Sequence, residues 1–111
     1  MSPSPRPLDQ LEQTIAARAA NASEKSYTSQ LLIGGLEKIG PKIVEEAAEV
    51  VEAASEPAEA GRQHFVREVA DLVYHLMVLM KCRESSWADV EAELARRFGV
   101  SGLDEKAARK K

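Results

Sequence analysis

Apolar residues recur along this chain at helical rather than strand spacing. Leu8, Leu11, Ile15, Ala19 and Ala22 fall three or four apart and predict a first amphipathic helix that ends near Asn21 to Ser23. Asp9 and Glu12 near its start and Arg18 near its end agree with the helix dipole. Residues 24–40 are less regular. Ser26 or Thr28 can cap a short helix through Leu32, Gly34 and Gly35 interrupt it, and Leu36 and Ile39 allow a further turn, so the segment reads as a loop with helical pieces. Pro41 suits a first helical position and opens a long helix to about Ser55. Glu56 and Pro57 stop it, residues to Gly61 form a polar connection, and the longest helix runs from Arg62 to Arg83. Ser86, with Asp89 three residues on, reads as a capping box for a last helix with the stripe Trp87, Val90, Leu94 and Phe98, closed by Gly99. Residues 1–7 are expected to be a flexible leader, 8–98 a single domain and 99–111 a frayed basic tail.

The two long helices share a plan. Counted from Ile43, the residues Ile43, Ala47, Val50 and Ala54 form an apolar stripe, with Glu46 and Glu49 to one side at about 60° and about 120°. Counted from Phe65, the stripe is Phe65, Val69, Leu72 and Leu76, and Glu68, Asp71 and His75 flank it on the same rotational side. A short connection makes antiparallel packing the natural arrangement, which brings four acids to one edge of the seam. Charges so close repel by roughly 3 kcal/mol per pair at an effective dielectric of about 20, so a cation is needed among them. Oxygen-only ligands suit Mg²⁺ or Mn²⁺ rather than Zn²⁺, and Mg²⁺ commonly shares its shell with substrate phosphates. The spacing therefore points to a divalent-metal site for a phosphoanhydride. A single pair of acids three apart is weak evidence, because acidic helix faces are usually just solvated. Two pairs offset the same way from their own stripes are much harder to obtain by chance.

The longest helix carries a second stripe of Val66, Ala70, Val73, Met77 and Met80. That width predicts a homodimer through this helix; the alternative is that the first and last helices cover it within one chain. At 111 residues, 44% hydrophobic and 5% aromatic, the chain is one all-α domain with a modest core, a four-helix-type bundle completed by dimerisation. A net charge of −3 with no basic face argues against nucleic-acid binding. One cysteine, Cys82, excludes an internal disulfide, and no apolar run is long enough for a membrane span, so the cytoplasm is the expected compartment.

Of the remaining residues, Lys42 falls one turn before Glu46 and Lys38 just outside the helix start; near a metal they can hold phosphate as point charges, and otherwise they are surface lysines. His75 by spacing reads first as a border residue, Tyr74 as a packing or subunit contact pointing away from the acids, and Trp87 as core. Cys82 and His64 lack any signal for thiol or acyl-transfer chemistry, and no P-loop is present.

Three segments together resemble a known family: SYTSQLL at Ser26–Leu32, KIGPKIVEEAAEVVEAA at Lys38–Ala54 and EVADLVYHLMVLM at Glu68–Met80. They are similar to phosphoribosyl-ATP pyrophosphohydrolases, MazG-like all-α nucleotide pyrophosphohydrolases whose broader signature of two acidic halves corresponds here to Glu45, Glu46 and Glu49, then Glu68 and Asp71. The resemblance covers Leu8 to Phe98, with departures at Val44, where many relatives have glycine, and at Pro41. It implies hydrolysis of 1-(5-phosphoribosyl)-ATP to 1-(5-phosphoribosyl)-AMP and pyrophosphate in histidine biosynthesis, dependence on Mg²⁺, a homodimer or higher assembly, and a phosphoribosyl-AMP cyclohydrolase on a separate chain. On this reading Glu46, Glu49, Glu68 and Asp71 hold the metal, and Glu45 or one of those four is the base. Lys38 and Lys42 contact phosphate, while Ser26, Tyr27, Thr28 and His75 lie on the substrate side. Two rival functions stay open: a housekeeping MazG-like (d)NTP pyrophosphohydrolase, and a non-catalytic helical dimerisation module.

Overall fold

The computed structural model describes residues 6–21, 25–99 and 102–109. They form six helices and no strand: α1 (Pro7–Ala20), α2 (Tyr27–Gly34), α3 (Leu36–Ala54), α4 (Ala58–Cys82), α5 (Trp87–Arg96) and α6 (Gly102–Arg109). Ala22, Ser23 and most of the expected leader lie outside the described residues. The core is Ile15 of α1, Leu31 of α2, Ile39 of α3 and Met77 and Val78 of α4, with Leu11, Ile43, Val73 and Trp87 packed around it. None of the described helices is long and apolar enough to cross a membrane.

Both long helices start earlier than their periodicity suggested. α3 begins at Leu36, because Gly35 takes a positive φ of 64° that only glycine adopts without strain, and Lys38 and Ile39 donate their N–H groups to its carbonyl. Burial of Ile39 at 0% exposure fixes that first turn. Pro41 therefore lies inside the helix, near enough to its start that few backbone bonds are forfeited. α4 begins at Ala58, directly after Pro57. The connection thus shrinks to three residues and holds α3 and α4 as a tight hairpin.

The buried face of α3 is also rotated from the expected stripe. Ala47 and Ala54 are exposed, whereas Ile39 and Ala53 are buried and Ile43 and Val50 partly so. The seam follows positions 39, 43, 46, 50 and 53, so Glu46 occupies an inward position rather than flanking one. On α4 the second stripe divides. Met77 is buried in the core and Val73 and Met80 are partly covered within the chain, while Val66 and Ala70 stay exposed. On α3, too, apolar side chains stay open, at Leu36, Val44 and Val51, each about two-thirds exposed or more.

The capping box at Ser86 and Asp89 forms as expected, and the Trp87 N–H donates to Glu12 Oε2 at 2.8 Å, pinning the start of α5 to α1. Only that start is held. Leu94 and Phe98, expected to be buried, are 49% and 80% exposed, because no described element lies under the last turn. Residues 102–109, expected to be frayed, form α6, whose Ala, Lys and Arg content favours helix without packing.

α4 ends in a Schellman motif. The Ser85 N–H donates to the Met80 carbonyl at 2.9 Å, and Glu84 takes the left-handed position with φ 54°. Glycine reaches that conformation without a Cβ penalty. Glu84→Gly is therefore expected to stabilise the fold by up to about 1 kcal/mol, read as a rise in Tm of a few degrees; a fall in Tm would contradict this account of the turn.

Candidate metal and phosphate site

The α3–α4 hairpin brings the two acidic halves together. Carboxylate oxygens of Glu46, Glu68 and Asp71 all lie within 4.8 Å of one another. The side chains of Glu46 and Glu68 are only 13% and 15% exposed. Each has a buried oxygen, Oε2, with no hydrogen-bond partner. Buried carboxylate oxygens without donors are costly, and a hard cation is the group that satisfies several at once. The donor set, all oxygen and compact, fits Mg²⁺ or Mn²⁺.

Glu49 sits at the rim of this group. A shared hydrogen bond with Glu68, then burial, then repulsion from Glu68 and Glu45 raise its carboxyl above the usual range. Glu46 is raised too, first by burial, then by repulsion from Asp71, Glu49 and Glu45, with His75 opposing. Glu45 is exposed and outside the tight group, yet close enough to act on both neighbours.

Carboxyls whose pKa is raised by folding stabilise the metal-free fold below their unfolded value and withdraw that contribution as pH rises through the raised value. Near neutrality the charged forms of Glu46 and Glu49 therefore strain the fold, and protons no longer compete with a cation for those two carboxylates. Mg²⁺ should raise Tm at pH 7.5, with about 2.7 kcal/mol of stabilisation at a hundredfold excess over Kd, and raise it much less at pH 4.5. Equal shifts at the two pH values would contradict the role given to these carboxyls.

The residues expected on the substrate side divide. Lys42 is half-buried and Lys38 exposed, and among the described residues neither has an ion-pair partner. Ser26 caps α2, its Oγ accepting from the Ser29 N–H at 3.2 Å. Thr28 hydrogen-bonds the Tyr74 hydroxyl, and the Tyr27 hydroxyl lies 3.1 Å from His75 Nε2. Tyr74 packs as expected, its ring 5.0 Å from that of His75.

One residue of the site was missed. His64 of α4 ties the hairpin's connection to the acidic group, with Nδ1 at 2.8 Å from Glu56 Oε1 and Nε2 at 3.2 Å from Glu68 Oε1. Its pKa is raised, first by the hydrogen bond to Glu56, with burial opposing and Glu68 adding to the rise. The spacing of His64 four residues before Glu68 was a usable signal; the contact with Glu56 depends on the hairpin.

A sequence model of the phosphoribosyl-ATP pyrophosphohydrolase family matches residues 8–98. The phosphoribosyl-ATP pyrophosphatase of Rhodopirellula baltica is 58% identical over 103 residues, 93% of this chain and 86% of the relative. Those of Rhizorhabdus wittichii and Paracoccus denitrificans are 51% and 45% identical, over 94% and 97% of this chain and 95% and 97% of the relatives.

Proposed function

Because the chain belongs to the phosphoribosyl-ATP pyrophosphohydrolase family, we propose that it hydrolyses 1-(5-phosphoribosyl)-ATP to 1-(5-phosphoribosyl)-AMP and pyrophosphate, a step of histidine biosynthesis. The observation that carries this reading is the group of Glu46, Glu68 and Asp71, one oxygen of each within 4.8 Å of the others, together with a buried, unpartnered oxygen on each of the two glutamates.

Glu46, Glu49, Glu68 and Asp71 would hold Mg²⁺, with Mn²⁺ an acceptable substitute. When bound, the ion supplies positive charge against the triphosphate oxygens and the departing pyrophosphate. The chain's own residues do the rest. Glu45 or one of the four acids takes the proton of the attacking water, whose oxygen bonds to the α-phosphorus as the bond to the bridging oxygen breaks. Lys42 and Lys38, without ion-pair partners among the described residues, offer point charges to the outer phosphates. The exposed ring of Tyr27, 48% accessible, offers a face to the ribose or base side, with Ser26, Thr28 and His75 around it.

Offering phosphoribosyl-ATP, dCTP and dUTP side by side with Mg²⁺ tests the assignment through pyrophosphate release. Phosphoribosyl-ATP is expected to be hydrolysed fastest. Preference for either deoxynucleotide would favour a housekeeping role, and no release from any of the three would favour a non-catalytic module.

The uncovered residues Leu36, Val44 and Val51 support pairing of two copies through α3, as a homodimer or higher assembly. Sedimentation equilibrium is expected to give at least twice the 12.1 kDa chain mass, and a stable monomer at micromolar concentration would refute the pairing. The product's next reaction, opening of its purine ring, falls to a phosphoribosyl-AMP cyclohydrolase activity, and both are proposed to work in the cytoplasm.

A further inference from the structure

The carboxylate group is tied to the start of α2 through His75. His75 is buried, at 6% exposure, and meets three partners. Its Nδ1 lies 2.9 Å from the main-chain oxygen of Asp71 and 3.6 Å from Oε1 of Glu46, and its Nε2 lies 3.1 Å from the Tyr27 hydroxyl. A carbonyl oxygen and an ionised carboxylate can only accept, so the proton of the neutral ring belongs on Nδ1. Nε2 is then a bare acceptor, and the Tyr27 hydroxyl is the donor that meets it. The 3.6 Å approach is too long for a hydrogen bond. It does set the positive end of the Nδ1–H dipole beside Oε1 of Glu46, while Oε2 of the same carboxylate has no partner. One oxygen of Glu46 is steadied from within the chain, and the other is left open.

We infer that Tyr27 is a positioning residue for Glu46: its hydroxyl holds His75 in the Nδ1–H tautomer, and the ring so held keeps Oε2 of Glu46 turned to receive a cation. This rests on the metal site proposed above and adds a route by which α2 acts on a ligand carried by α3. Without the hydroxyl, Nε2 loses its donor, only the Asp71 carbonyl and Glu46 still favour the proton on Nδ1, and part of the population shifts to the other tautomer, in which Nδ1 no longer steadies Oε1. Partners that orient metal ligands typically contribute 10–100-fold in metal affinity. The hydroxyl can be separated from the ring. Tyr27 stacks on Tyr74 at 6.2 Å and meets His75 edge-on at 6.1 Å, and phenylalanine keeps both contacts.

Nitrogen-15 NMR of the metal-free wild-type protein at pH 7.5 reads the tautomer directly. A protonated Nδ1 and a bare Nε2 on His75 are expected; a protonated Nε2 overturns the inference, whatever any variant does. Mn²⁺ titration followed by electron paramagnetic resonance gives the second test. Tyr27→Phe is expected to bind Mn²⁺ about tenfold more weakly than wild type and to show Nε2–H signal on His75. Unchanged affinity in Tyr27→Phe, with or without a lower Tm, makes Tyr27 a packing residue only and overturns the positioning role while the metal site stands. Absence of Mn²⁺ binding in the wild type overturns the metal site and this role together.

Discussion

Glu46→Gln is expected to lower Mg²⁺-dependent pyrophosphate release at least about 100-fold while leaving Tm in EDTA unchanged or higher. The two effects have one cause. Glu46 is nearly buried, its oxygens are within 4.8 Å of those of Glu68 and Asp71, and burial and that repulsion both push its carboxyl up. Unit charges at such a separation repel by about 3 kcal/mol at an effective dielectric of about 20. The amide removes one charge, keeps the side chain's shape and can donate to the neighbouring carboxylates. The metal-free fold gains, and the cation loses a ligand. Side-by-side activity assays and thermal melts in EDTA check this. A variant that keeps wild-type turnover would remove Glu46 from the site, and one whose Tm in EDTA falls by more than about 5 °C would mean that the charge is not what strains the fold.

Gly61→Ala should be the most damaging small substitution, costing about 3 kcal/mol and lowering Tm by roughly 10 °C. A Cβ at Gly61 would stand 2.4 Å from the Glu56 carbonyl oxygen and 2.6 Å from its carbon. Those are backbone atoms of the three-residue connection, so no side chain can swing aside, and α4 must back away from the end of α3. Glu68 lies two turns further along α4, hence the same substitution should also weaken Mg²⁺ binding. Urea unfolding with Mg²⁺ and with EDTA separates the effects: a loss larger with Mg²⁺ shows the hairpin setting the acid-to-acid distance. A fully stable Gly61→Ala protein would contradict the close approach.

What was legible in the sequence was local. The 3.6-residue period marked α1, α3, α4 and α5, the Ser86–Asp89 box marked the start of α5, and the three-residue spacing of the acids marked both halves of the site. The details that escaped are set between elements. Glu46 counted as flanking a stripe because the wheel was centred on Ala47 and Ala54, whereas the actual seam passes through Ile39 and Ala53, residues whose burial depends on where α2 and α4 lie. Alanine is tolerated on either face, so it fixes no rotation. Proline is a common first helical residue and points to a start at Pro41, yet the positive φ at Gly35 and the burial of Ile39 set the start of α3 at Leu36. The cap at Ser26 was legible and forms on the Ser29 N–H, whereas Tyr27 and Thr28 carry no periodic signal; their hydroxyls are engaged by His75 and Tyr74, both more than forty residues away. Tertiary partners of this kind leave no trace in spacing.

The central claim is that acids from α3 and α4 grip one divalent cation. Anomalous X-ray scattering from a crystal grown with Mn²⁺ tests it most directly. The account predicts a manganese peak bonded to carboxylate oxygens of Glu46, Glu68 and Asp71 at about 2.1–2.2 Å. A well-ordered crystal in saturating Mn²⁺ with no peak among those oxygens would contradict it.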